Sequence, residues 1–169
     1  MERVFLSLGS NLGDRVTNLR LALAQCSGFA KIVACSHVYE TEPVEFTAQP
    51  WFANAVVAVE TDDAPQPLLE RLLAIEISMG RRRDDAAIPK GPRVIDLDII
   101  LFGDLVIQSP SLTLPHPAMH LRRFVLEPLA EIAPEAVHPV LHQTAAQLLR
   151  ALRAGGPAVR RMEPLSVAR

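Results

Sequence analysis

Residues 94–102 read Val-Ile-Asp-Leu-Asp-Ile-Ile-Leu-Phe, and no other stretch constrains the fold as strongly. Its aliphatic, β-branched content predicts a strand from Val94 to Phe102. Successive side chains of a strand point to opposite faces, so Ile95, Leu97, Ile99 and Leu101 share one face. That apolar row needs helices packed on it. Asp96 and Asp98 then share the other face, with Cα atoms roughly 7 Å apart. Two neighbouring carboxylates repel each other and resist desolvation. Either that face stays open to solvent, or a hard cation such as Mg²⁺ sits between them with phosphate oxygens and water.

The rest of the chain supplies partners for such a strand. Val4 to Leu8 reads as a strand. Val16, Leu19, Leu23 and Cys26 then recur at helical spacing after a capping Asp14, and Gly28 closes the segment. Lys31 to Tyr39 predicts a second strand and Ala53 to Glu60 a third. Leu68, Leu72, Ile75 and Met79 mark a second helix, opened by Pro65 and Pro67 and stopped by Gly80. Residues 41–50 and 81–92 lack periodicity and predict two long loops, the natural place for function. A brief hairpin after Gly103 and short helices at Phe124 to Ile132 and Thr144 to Leu152 are expected, then a weakly packed basic tail over 155–169. The strand–helix–strand repeat predicts an α+β, ferredoxin-like sandwich in one domain over 1–169. Its sheet is expected to have four mainly antiparallel strands with both helices on one face. The other face is then left to the two active-site loops and a ligand.

Charge and motifs narrow the chemistry. The formal net charge is −2, so an anionic substrate must be met by a local cluster. The chain has no G-x-x-x-x-G-K-[ST] and no G-x-G-x-x-G, which excludes a P-loop and a dinucleotide fingerprint. Cys26 and Cys35 have no metal-ligand spacing and fit a reduced protein. With no signal-like or membrane-spanning run, the expectation is a cytoplasmic monomer acting on small molecules, without nucleic-acid or membrane partners.

Positive charge clusters around the aspartate strand. Arg81, Arg82 and Arg83 precede it, Arg93 stands at its start, and Arg122 and Arg123 follow His116 and His120. The first three read either as a solvated run beside Asp84 and Asp85 or as a mobile phosphate clamp. His116, next to prolines on both sides, caps a turn or donates to a phosphate. Trp51 and Phe52 precede Asn54; such a group suits a flat heterocycle, and core packing accounts for it too. Ser10 and Asn11 read as an anion nest or as turn chemistry. His120, His138 and His142 read as structural.

In this order, LGSNLGDR, YETEPVEFTAQPWFANAVV, IEISMGRRR, GPRVIDLDIILFG and LPHPAMHLRRFVLEPLAEIAPE resemble the 6-hydroxymethyl-7,8-dihydropterin pyrophosphokinases of folate synthesis. The resemblance implies transfer of pyrophosphate from ATP to a pterin hydroxymethyl group, with release of AMP and no dedicated strong base. It implies that Asp96 and Asp98 hold two Mg²⁺ ions bridging the ATP phosphates. Thr41, Val44 (through its backbone) and Asn54 match pterin-binding positions, and Phe52 and Phe124 match the aromatics that sandwich the ring. Glu76, Arg83, Ile99, Thr113, His116 and Arg122 match the ATP-binding set. Arg81 and Arg93 match arginines that assist catalysis. Departures are Pro89 and Lys90, where members often carry a basic residue and Trp, Pro117 for a frequent Tyr, and Leu73 for a Gln. Two other readings of the residues are a non-catalytic ferredoxin-like ligand-binding module and a Mg-dependent phosphohydrolase.

Overall fold

The structure, a computed structural model, describes residues 1–43, 48–80, 93–152 and 156–166. Strand β1 (Glu2–Ser10) runs into helix α1 (Arg15–Cys26), whose cap is Asp14, accepting from Thr17 N. Strands β2 (Lys31–Cys35), β3 (His37–Thr41) and β4 (Phe52–Thr61) follow, then helix α2 (Pro65–Ser78). Beyond β5 (Asp96–Phe102) come a hairpin of β6 (Ile107–Gln108) and β7 (Thr113–Leu114), helices α3 (Arg123–Ile132) and α4 (Ala145–Ala151), and β8 (Val159–Pro164). No described helix is long and apolar enough to cross a membrane.

The main sheet has six strands in the order β5-β1-β4-β3-β8, with β2 also on β4, and its described pairings are antiparallel. With β2 and β3 taken together, β1–α1–β2/β3 and β4–α2–β5 interleave as split β-α-β units, the expected ferredoxin-like arrangement. Two features widen the sheet beyond the four strands expected. Ser36, 1% exposed, interrupts the second strand. Its hydroxyl accepts from Val56 N and donates to His37 O, while its own N–H bonds Val56 O. The register against β4 differs on the two sides, Cys35↔Val57 before and Tyr39↔Asn54 after.

The second feature corrects the expectation of a weakly packed tail. Within 155–169, β8 pairs with β3 from His37↔Pro164 to Thr41↔Val159, and Leu165 is buried just beyond it. Its own side chains are largely exposed. An edge strand is ordered by backbone bonds along one side, so it needs no apolar alternation to form.

Helices α1 and α2 cover one face, where Leu6, Leu8, Val57, Leu97 and Ile99 meet Leu19, Leu23, Leu68 and Leu72. Each fully buried leucine contributes about 1.5–3 kcal/mol. Helices α3 and α4 cover part of the other face, over Phe5, Val56, Ala58 and Ile100. Leu101 joins this second cluster instead of the row of Leu97 and Ile99. The β1–β5 pairing slips between Phe5 and Leu6, and the alternation reverses there. Val94 and Ile95 precede β5 rather than opening it.

Candidate active site

The part of the second face that α3 and α4 leave open is the floor of a cavity of about 370 Å³. Strand register lays out this floor. Gly9 of β1 stands between Asp96 of β5 and Asn54 of β4, and Ser7 between Asp98 and Val56. Two carboxylates, a glycine, a hydroxyl and an amide thus occupy neighbouring positions on one face, and all five residues line the cavity.

One end of the floor is neutral. Asn54 Nδ2 donates to Thr41 Oγ1 at 2.6 Å, with both residues buried. A Cβ on Gly9 would fall 2.7 Å from Asn54 Oδ1, so only glycine leaves room for the amide. Half-buried Phe52 and Phe124 also line the cavity, and the Arg122 guanidinium lies 5.5 Å from the centroid of the Phe124 ring.

The other end is charged. Arg93 Nη1 lies 3.5 Å from Asp96 Oδ1, with the two side chains 22% and 31% exposed. Glu76 of α2 is buried and accepts from Leu97 N at 2.8 Å. His116 Nδ1 accepts from Ala118 N at 3.1 Å, so a neutral ring carries its proton on Nε2. The described residues contain no cluster of three or more His, Cys, Asp or Glu that would enclose a metal by themselves. Two part-exposed carboxylates opening on a cavity do suit Mg²⁺, which keeps waters and takes further oxygens from substrate phosphates.

Asn11 joins the flanks of the two long loops. It is 1% exposed, and its Nδ2 donates to Gln49 Oε1 at 2.8 Å and to Pro50 O at 3.1 Å. Its Oδ1 accepts from Arg93 N at 2.7 Å, and its own N–H donates to Arg93 O at 3.0 Å. The Asn11 side chain thus holds the flanks of the two loops together, a role that neither reading of it in the sequence included.

Of the fifteen site residues that the resemblance implies, ten line this cavity: Thr41, Phe52, Asn54, Glu76, Arg93, Asp96, Asp98, His116, Arg122 and Phe124. Two do not. The Ile99 side chain is in the helix-side core, and Thr113 is half-buried on β7. Val44, Arg81 and Arg83 lie outside the described residues, as do Arg82, Pro89 and Lys90. Leu73 lines the cavity from α2, beside Leu69. Sequence reasoning missed Gly9, Glu42 and Gln49; a glycine inside an apolar strand was a readable signal for the first. His138 lies outside the cavity lining, its Nδ1 accepting from Val140 N and Leu141 N, as a structural histidine does. Burial pushes the Cys26 thiol up to about 12 and raises Cys35 as well, so neither is prepared as a nucleophile.

A family model described as 7,8-dihydro-6-hydroxymethylpterin-pyrophosphokinase matches residues 5–134. The chain belongs to this family. Within the pyrophosphokinase family, it is 42% identical over 137 residues to the 2-amino-4-hydroxy-6-hydroxymethyldihydropteridine pyrophosphokinase of Pseudomonas aeruginosa, covering 80% of this chain and 83% of that protein. The protein of the same name from Methylorubrum extorquens is 44% identical over 140 residues, 81% of this chain and 86% of that one. Folic acid synthesis protein fol1 of Schizosaccharomyces pombe is 41% identical over 154 residues, 90% of this chain but 21% of that longer protein. The chain thus spans about a fifth of the length of the fungal and Dictyostelium folic acid synthesis proteins it matches. Among solved structures, an HPPK-DHPS in complex with substrates aligns with a TM-score of 0.71 at 17% identity, over 89% of this chain and 43% of that chain. Plasmodium falciparum HPPK-DHPS with pteroate also gives 0.71, at 20% identity over 88% and 42% of the two chains. At these identities the structures establish the shared fold.

Proposed function

We propose that this chain transfers a pyrophosphoryl group from Mg-ATP to the hydroxymethyl oxygen of 6-hydroxymethyl-7,8-dihydropterin, releasing AMP, in folate biosynthesis. The observation that carries this reading is one cavity whose floor is a neutral amide recess beside a carboxylate pair. A flat, hydrogen-bonding acceptor suits the first and a polyphosphate with its cations the second. Family membership supports the same pairing of substrates.

In this reading, Thr41, Asn54 and the Val44 backbone take the polar edge of the pterin, and Phe52 and Phe124 take its faces. Glu76, Arg83, His116 and Arg122 hold the nucleotide. Thr113 contributes from the hairpin, and Ile99, with its side chain in the core, contributes its backbone. Asp96 and Asp98 hold two Mg²⁺ ions, which supply neutralisation of the triphosphate charge when bound. Arg81 and Arg93 stabilise charge that builds up as the bonds change.

The acceptor oxygen forms a bond to the β-phosphorus as the bond from that phosphorus to the α–β bridging oxygen breaks. AMP leaves with the bridging oxygen, and the hydroxyl proton passes to solvent. Placement and charge complementarity supply most of the acceleration. A cytoplasmic monomer, one domain over 1–169, acting on these two small molecules completes the reading.

Product analysis after incubation with Mg-ATP, with and without the pterin, tests it. AMP and a pterin pyrophosphate are expected only when the pterin is present. Free phosphate without pterin would indicate a phosphohydrolase, and ligand binding without turnover would indicate a binding module. Either result overturns the reading.

A further inference from the structure

The neutral end of the cavity is held from behind by charges that do not line it. Glu40 on β3 directly precedes Thr41, and alternation puts its side chain on the opposite face of the strand. It is 15% exposed, and its two oxygens take different partners. Oε2 lies 2.9 Å from Arg15 Nη2, at the first residue of α1, and Oε1 pairs with Arg160 Nη2 on β8. Arg15 reaches further: its Nη1 donates at 2.8 Å to the carbonyl of Trp51, the residue just before Phe52. Next to Thr41 on the other side, Glu42 N donates to Ala158 O at 3.0 Å, and Glu42 Oε2 accepts from Ala158 N at 3.1 Å. Thr41, Glu42 and Phe52 all line the cavity, whereas no described residue of β8 does.

We propose that Glu40, with Arg15 and Arg160, is a positioning device for the acceptor end of the cavity, and that β8 is thereby part of the site. The proposal rests on the reading of that end as pterin-binding. Glu40 is the common acceptor of two arginines, one fixing the chain just before Phe52 and the other fixing the strand that flanks Thr41. The hydrogen bond from Arg15, helped by Arg160, holds the Glu40 carboxyl below the ordinary carboxylate value against the opposing effect of burial. It is therefore ionised and able to hold both partners at neutral pH. Arg160 is 71% exposed, and so open an ion pair adds little to global stability. Its effect is on alignment, and the residues it aligns grip one substrate and not the other.

The test measures binding of 6-hydroxymethyl-7,8-dihydropterin and of a non-hydrolysable Mg-ATP analogue separately, with melting curves, for the full chain and two variants. Glu40→Gln keeps the shape and removes the charge. It should raise the pterin Kd about tenfold, equivalent to about 1.4 kcal/mol. The analogue Kd should stay within about twofold, since the residues proposed to hold the nucleotide are not those that Arg15 and Arg160 fix. Arg160→Ala, too exposed to threaten folding, should raise only the pterin Kd, by a smaller factor. Both affinities weakening together with a fall in melting temperature would overturn the proposal in favour of a purely structural role. Unchanged pterin affinity in Arg160→Ala would also overturn it, since β8 would then be idle. Wild-type protein that binds the analogue but no pterin would overturn the acceptor assignment itself, and this proposal with it.

Discussion

The two ends of the cavity floor are built on opposite principles. At the β3–β4 end, Asn54 already spends an amide hydrogen on Thr41 at 2.6 Å, and the missing side chain of Gly9 leaves room for the amide oxygen. That end is a finished template, and its selectivity is one of shape and hydrogen-bond direction. At the β5 end, Asp96 and Asp98 lie on one face with Arg93 at 3.5 Å from the first. That end is an electrostatic arrangement completed by what binds there. Under the proposed function, a site assembled this way would separate recognition from reaction, the preformed end choosing the acceptor and the charged end lowering the barrier.

Variants that strike one end alone test this separation. The largest effect is expected from Asp98→Ala. Loss of one placed electrostatic group should lower kcat on the order of 10²–10³-fold, while pterin affinity measured by titration stays near that of the wild type. If pterin affinity collapsed as well, the two ends would be one unit. Gly9→Ala probes the neutral end, because its Cβ would displace Asn54 Oδ1 from 2.7 Å. A roughly tenfold rise in pterin Kd, equivalent to about 1.4 kcal/mol, is expected, with Mg-ATP analogue binding unchanged; equal weakening of both would count against it. Arg93→Ala should lower kcat by about tenfold with little change in KM, as an interaction made mainly in the transition state does. A change confined to KM would move Arg93 to ground-state binding.

The smallest effect concerns the wall behind the neutral end. Glu131 on α3 accepts from His37 N at 3.0 Å and from Tyr39 OH at 2.7 Å, tying α3 to β3. Burial alone would raise its carboxyl, but the bonds from His37 and Tyr39 outweigh it and hold the group below the ordinary carboxylate value. A depressed value means that the unfolded chain binds the proton more readily. The stabilisation is therefore complete above the ordinary carboxylate range and is lost as pH falls through the lowered value. Glu131→Gln should reduce the melting temperature by a few degrees at neutral pH and by less in acid. A difference independent of pH would remove the carboxylate from the account.

Much of this site was legible because it lies on a strand with strict alternation. Asp96 and Asp98 could be placed on one face from spacing alone, and they line the cavity. What was hidden depends on single groups or on backbone. The break at Ser36 follows from one hydroxyl replacing a ladder bond at Val56, which no periodicity reports. The reversal at Leu101 comes from one extra residue in β5: Leu101 pairs with Phe5 and Ile99 with Leu6, leaving Ile100 between them without a partner position. Strand β8 escaped notice because Val159–Pro164 keeps most of its side chains in solvent. Asn11 read as an anion nest or as turn chemistry, and only the fold brings Gln49 and Arg93 to it.

The pairing of β3 with β8 also covers an edge that the rest of the sheet leaves open. Arg160 and Glu40 are separated by 120 positions, whereas β1, β4 and β5 can form their ladders without β8. Closing so long a loop for a handful of backbone bonds is entropically unfavourable and slow. Until it closes, β3 presents a row of unsatisfied amides and carbonyls along its outer side, a template for the wrong neighbour. A molecule in which β8 has not docked is therefore open to edge-to-edge association along β3.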